Sequence, residues 1–189
     1  MAGHRFNPEK ADKLINPDRK KIVDPERIIT MLGLTESDKI VDLGAGNGFF
    51  TIPFAQTTRD TVYAVDIEQK MLELLKERAN KASIENITYI QSDLENIKME
   101  EDTVDKAFIA FVMHEIPNMT KALEEIKRII KPGGKLLIVD WEAVESEMGP
   151  PLHERISSKE MENFLHSNGF QPTVKILHEA VYAVLTDVN

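Results

Sequence analysis

Between residues 39 and 141, short apolar runs alternate with stretches whose apolar residues recur every three to four positions, and few architectures accept such a pattern. Residues 39–43 (KIVDL), 61–67 (TVYAVDI), 87–91 (ITYIQ), 104–111 (VDKAFIAF) and 135–141 (KLLIVDW) read as strands. Residues 48–55 begin a helix. Residues 70–82 form another, with Met71, Leu72, Leu75 and Ala79 on one face. A third spans 118–130, with Met119, Leu123, Ile126 and Ile130 at helical spacing and Glu124 placed to pair with Arg128. Strands separated by helices must be joined by right-handed crossovers, which makes them parallel and puts helices on both faces of the sheet.

The flanks complete the pattern. Asp24-Pro25 predicts an N-cap followed by proline at the first helical position, and Gly33 closes that helix. Lys131-Pro132-Gly133-Gly134 turns the chain before the fifth strand. Residues 142–155 (EAVESEMGPPLHER) form a long charged loop. Ser157 and Glu160 then predict a capping box, with Ile156 and Met161 as a hydrophobic staple, and Gly169 stops the helix. Two β runs, 173–177 and 180–186, are separated by His178-Glu179 alone, which requires a hairpin and hence one antiparallel strand. The expected fold is α/β: a three-layer αβα sandwich with a seven-stranded, mostly parallel sheet and an antiparallel C-terminal strand. Residues 1–23 are expected to be an arm or lid, and 24–189 a single domain.

Net charge is -9, and the densest basic stretch is Arg19-Lys20-Lys21, with Lys10 and Lys13 upstream. That reads as a solvated face, so nucleic acid is disfavoured as a partner. No apolar run approaches the roughly 20 residues that span a bilayer, and the first residues lack a signal-peptide core. A cytoplasmic protein without a membrane partner is expected. The sequence holds no cysteine, which removes disulfides, thiolate metal ligands and a cysteine nucleophile. Its histidines match no ligand spacing, so no metal is expected.

Asp42-Leu43-Gly44-Ala45-Gly46-Asn47-Gly48 joins the first strand to the first crossover helix. Glycines there let the backbone approach a ligand, and a helix start offers unpaired N–H groups. Asp66, ending the second strand, is placed to accept both hydroxyls of a ribose. The spacing G-x-G-x-G departs from the dinucleotide G-x-G-x-x-G. Asp42 would repel a pyrophosphate and attract an α-ammonium. The motif therefore points to a nucleoside carrying an amino acid.

From about Ile29 onward the chain resembles the class I S-adenosylmethionine-dependent methyltransferases, which are Rossmann-like. VDLGAGNGFF is similar to their first motif, AVDIEQKML to the ribose-binding strand, and IQSDLENI to the segment that meets adenine. VDKAFIAFVMHEI is similar to the fourth-strand segment beside the reacting methyl, and LEEIKRIIKPGGKLLIVDW to the helix, turn and fifth strand that follow. A looser similarity extends to quinone-biosynthesis C-methyltransferases. The resemblance implies S-adenosyl-L-methionine as cofactor. Gly44, Ala45 and Gly46 would lie against its methionine and ribose, and Asp66 would hold the ribose hydroxyls. Ile67 would pack on adenine, Asp93 accept from the adenine amino group, Leu94 offer a backbone contact, and Phe111 line the methionine side.

Ligands of open α/β sheets bind beyond the carboxyl ends of the strands, which nominates residues 112–117 and 141–155 for the acceptor. His114 and Glu115, directly after strand four, are the candidate catalytic bases. His153, Glu154 and Arg155 are candidates for a polar or anionic acceptor, and Trp141 for core or pocket wall. The expected function is methyl transfer to a small-molecule acceptor by in-line displacement. Two alternatives are a non-catalytic S-adenosylmethionine sensor or partner subunit, and an NAD(P)-dependent oxidoreductase. A homodimer is a compatible assembly.

Overall fold

The computed structural model describes residues 19–189; the first 18 residues of the expected arm, with Lys10 and Lys13, lie outside the described residues. The described residues form α1 (Arg19–Ile22), α2 (Pro25–Leu32), β1 (Ile40–Leu43), α3 (Thr51–Thr57), β2 (Val62–Asp66), α4 (Gln69–Lys81) and β3 (Ile87–Gln91). They continue with β4 (Val104–Ala110), α5 (Met119–Ile129), β5 (Ile130–Trp141), α6 (Ser158–Ser167), β6 (Thr173–His178) and β7 (Val181–Asp187). The seven strands make one sheet in the order β3-β2-β1-β4-β5-β7-β6. All pairings from β3 to β5 are parallel, and β7 runs antiparallel to both β5 and β6. The two-residue hairpin connection forces that reversal.

Side chains alternate along each central strand between two cores, one on each face of the sheet. Val104, Ala107 and Ile109 of β4 pack on one face with Leu123 and Ile126 of α5 and Met161 and Leu165 of α6. Phe108 and Ala110 pack on the other, with Ile28 and Leu32 of α2, Phe54 of α3 and Leu75 of α4. On that second face the Phe108 ring meets Phe50 and Phe54 edge-on at 4.7 and 5.3 Å, a geometry worth roughly 0.5–1.5 kcal/mol per pair beyond area burial. The helix ends follow local chemistry. Asp24 accepts from Glu26 N at 3.3 Å, Gly33 closes α2 at φ +60°, and the reciprocal Ser157–Glu160 capping box starts α6.

Three local expectations change. α3 begins at Thr51 because residues 47–50 remain in turns. Arg128 pairs with Glu125, not Glu124: its Nε and Nη2 reach the carboxylate at 2.9 and 2.8 Å while its other donors cap the Met99 and Ile97 carbonyls. A fork held on both sides outweighs the i,i+4 spacing. The Lys131–Gly134 turn lies inside β5 as a bulge, between the Val104–Ile130 and Lys106–Lys135 pairs.

Candidate active site

At the sheet's centre the connections leave β1 in one direction toward β2, and reach β4 on the other side. Such a switch point opens a crevice beyond the carboxyl ends of the strands. A cavity of about 870 Å³ lies there, within the size range of small-molecule sites. Its walls come from the residues that follow β1 to β5: Gly44–Asn47, Asp66–Glu68, Ser92–Leu94, Phe111–Val112 and Trp141.

The glycine loop is held from beneath. Gly44 N and Ala45 N both donate to Val65 O, at 2.8 and 2.9 Å, and Gly46 N donates to Asp66 Oδ2 at 2.8 Å. Gly44 sits at φ +76°, and a Cβ there would stand 2.4 Å from Val112 Cγ2, so no larger residue fits between β1 and β4. Arg78 of α4 donates to the Asn47 carbonyl. The three successive amides of the loop are thus turned toward β2. Those amides have acceptors already and are poorly disposed to grip a phosphate.

Asp66 accepts from Gly46 N with one oxygen and from Glu68 N, at 2.9 Å, with the other. Burial raises its pKa, and the amide donors oppose the shift. Of the nominated cofactor residues, Gly44, Ala45, Gly46, Asp66, Ile67, Asp93, Leu94 and Phe111 all line the cavity. Asp93 also accepts from Glu95 N at 2.9 Å, which shapes the turn after β3. Phe111 is held at φ +61°, uncommon for a bulky side chain and typical of functional sites. Its ring lies 4.8 Å from Trp141. Asp42 is the exception. It is buried behind the loop, off the cavity wall, and accepts from Thr51 Oγ1 at 2.6 Å. Burial pushes its pKa up to about 7, with the Thr51 hydroxyl and the Arg19 charge opposing and Asp66 reinforcing the shift.

The far end of the cavity is lined by His114 and Glu115, in a 3-10 turn after β4, and by Trp141, Met148–Pro151 and Glu154. His114 Nδ1 lies 2.7 Å from Oδ1 of Asp140, whose side chain is fully buried. Asp140 Oδ1 also accepts from Trp141 N at 2.8 Å, and its Oδ2 from His114 N at 3.3 Å. A carboxylate on Nδ1 keeps the proton there and leaves Nε2 to accept. Nε2 is 3.9 Å from Glu115 Oε1. Burial pulls the His114 pKa down, but Asp140, Glu115 and Glu154 outweigh it, and the net direction is up. His153 points to solvent and Arg155 turns onto its own loop, so of that trio only Glu154 reaches the wall.

Sequence reasoning missed Asp140 and Arg19. A lone acid in the apolar run KLLIVDW was the available signal, since a buried carboxylate needs a partner. Arg19 of α1 also lines the cavity, its guanidinium 4.9 Å from the Phe49 ring and 5.2 Å from that of Phe111. Burial lowers its pKa to about 10, with Asp42 opposing.

Residues 34–183 match the family described as "Methyltransferase domain". The ubiquinone/menaquinone biosynthesis C-methyltransferase UbiE of Marinomonas sp. (strain MWYL1) is 28% identical over 132 residues, 68% of this chain and 53% of that protein. The chain therefore spans about half the length of such relatives. A crystal structure of a SAM dependent methyltransferase from Aquifex aeolicus superposes with a TM-score of 0.92 and 32% identity, covering 98% of this chain and 100% of that one. The [4+2]-cyclase SpnF shares the fold, with a TM-score of 0.75 over 87% of this chain and 80% of that one, at 15% identity. At that distance the likeness concerns architecture alone. The match over most of the chain, and the Aquifex relative along its whole length, lead to one conclusion: this chain belongs to the class I S-adenosylmethionine-dependent methyltransferases.

Proposed function

We propose that this protein transfers a methyl group from S-adenosylmethionine to a small-molecule acceptor that loses a proton, with His114 as the base. One observation carries the reading: a single cavity runs from the glycine loop and Asp66 to the Asp140–His114 pair. The donor would lie along Gly44, Ala45 and Gly46, with Asp66 at its ribose, Ile67 and Leu94 against its adenine, Asp93 at the adenine edge and Phe111 on the methionine side. The amides occupied by Val65 and Asp66 favour this ligand over NAD or NADP, whose phosphates need such donors. When bound, the donor supplies an electrophilic methyl on a sulfonium, a good leaving group. The protein's own residues orient the partners and exclude water. His114 Nε2 takes the acceptor's proton, Asp140 holds the ring in the required tautomer, and Glu115 stabilises the imidazolium that results. The place of the relative UbiE in ubiquinone and menaquinone biosynthesis supports a small acceptor.

Calorimetric titration with S-adenosylmethionine, S-adenosylhomocysteine, NAD and NADP tests the donor. Binding of the two adenosyl compounds alone is expected. Binding of NAD or NADP alone would mean an oxidoreductase.

A further inference from the structure

The segment between β5 and α6 has no repeating backbone hydrogen bonds of its own, beyond the 3-10 turn Leu152–Glu154. Its carbonyls therefore need other donors. One side chain provides them. Arg155 Nε donates to Pro150 O at 2.9 Å, and Nη2 to Met148 O at 2.5 Å. Nη1 reaches Val144 O at 2.8 Å, Ser146 Oγ at 3.0 Å and Glu142 O at 3.3 Å. Five acceptors spread over nine residues converge on one guanidinium, an arrangement that an ammonium on a flexible stem does not reproduce. The start of the segment is pinned separately: Glu142 N donates to Ala180 O, and its carboxylate caps Ser158 N at the start of α6.

The gathered segment presses on Trp141. Gly149 stands at φ +84°, and a Cβ there would come within 2.7–2.9 Å of three indole ring atoms. Phe111 packs against the same indole, and the Arg155 guanidinium lies 5.8 Å from its centroid. Met148, Gly149, Pro150 and Pro151 line the cavity that His114 and Glu115 also line, whereas Arg155 does not reach it. We propose that Arg155 is the positioning residue of the acceptor compartment: it gathers residues 142–150 into the wall that seats Trp141 and bounds the space before His114. The word acceptor rests on the methyltransferase reading above; the wall itself does not.

Trp141 is the only tryptophan in the sequence, so its emission reads the wall directly. In Arg155→Lys and Arg155→Gln, quenching of Trp141 by acrylamide is expected to rise at least about twofold. Amide hydrogen exchange across 143–150 should accelerate at least about tenfold. S-adenosylhomocysteine affinity, by calorimetry, should stay within about twofold, because the glycine loop is held by β2 and α4 and not by this segment. Gly149→Ala lifts the segment from the indole with Arg155 intact, so quenching should rise while exchange across 143–147 stays near wild type, because Arg155 still holds those acceptors. Exchange accelerated about tenfold there in Gly149→Ala would overturn the proposal even if the Arg155 variants do not fold. Unchanged quenching and exchange would overturn the proposal. So would a loss of S-adenosylhomocysteine affinity matching the quenching change, since Arg155 would then support the domain generally. Should the wild type bind no S-adenosylhomocysteine at all, the methyltransferase reading fails while the Trp141 and exchange measurements still judge Arg155.

Discussion

The glycine loop and the His114–Asp140 pair line one cavity but arrive there by different routes. Residues 42–48 are contiguous, and their turns and positive φ values follow from one short stretch lying between strand and helix. His114 and Asp140 are 26 residues apart and meet because β4 and β5 pair in parallel register and end together. The first half of the site is local in origin. The second exists only in the assembled sheet. The donor side should therefore tolerate changes on the acceptor side, and binding and chemistry should be separable by substitution.

The sharpest test of that separation is His114→Ala. Methyl transfer to an acceptor found by screening is expected to fall about 100-fold, the usual worth of a positioned base, with S-adenosylhomocysteine affinity retained. Equal losses of both would break the comparison. The same residue sets a pH dependence. With its pKa raised above the ordinary 6.5, its contribution to stability is full below 6.5 and fades as pH rises through the raised value. Neutral His114, the form that can act as base, accumulates over that same window. A pH–rate profile should therefore rise on the alkaline side of 6.5, and Asp140→Asn should move the rise to lower pH.

Next in size is Asp42→Asn. The carboxyl is raised from 3.8 to about 7, the reverse of the usual carboxylate case: the native state holds the proton that the unfolded chain releases. Stability is therefore lost as pH rises from about 4 to 7, and the loss is complete above 7. The variant keeps an acceptor for Thr51 and should be more stable than wild type at pH 8 by on the order of 2 kcal/mol, converging with it near pH 4. Thermal melts at the two pH values measure this. Convergence at pH 8 would mean that Asp42 carries no buried charge.

Asp66→Ala should weaken S-adenosylhomocysteine binding about tenfold, or about 1.4 kcal/mol. It removes the carboxylate proposed to hold the ribose and also frees Gly46 N from its 2.8 Å tether. Calorimetry reads the effect, and retained affinity would remove the donor from this loop. The smallest change is Ser157→Ala, which deletes one side of the α6 capping box and should cost about 1 kcal/mol in urea unfolding. Neither half of the cavity should respond. A shift in S-adenosylhomocysteine affinity would show that the segment between β5 and α6 couples the two.

The same division describes what was legible beforehand. Alternating strand and helix patterns, the caps at Asp24 and Ser157, the two-residue hairpin and the glycine loop are statements about neighbours in the chain, and period and turn chemistry report them. Glu125 as the partner of Arg128 was not legible, because the choice depends on carbonyls 29 and 31 residues away. Nor was the inward turn of Arg155, whose acceptors follow from how the segment folds back on Trp141. The place of Asp42 before the glycines suggests that it faces the ligand, yet the short bond to Thr51 draws it behind the loop.

By itself, then, the sequence determined a parallel-stranded α/β domain, the reversal of β7, and a glycine turn followed one strand later by Asp66, since each depends on spacing within a few tens of residues. Only the tertiary structure decided that Asp140 steers His114, that the loop amides face β2 and not the cavity, and that Arg155 builds a wall. Those outcomes depend on which strand ends lie side by side and on where buried polar groups find partners, and both are settled when the whole sheet assembles.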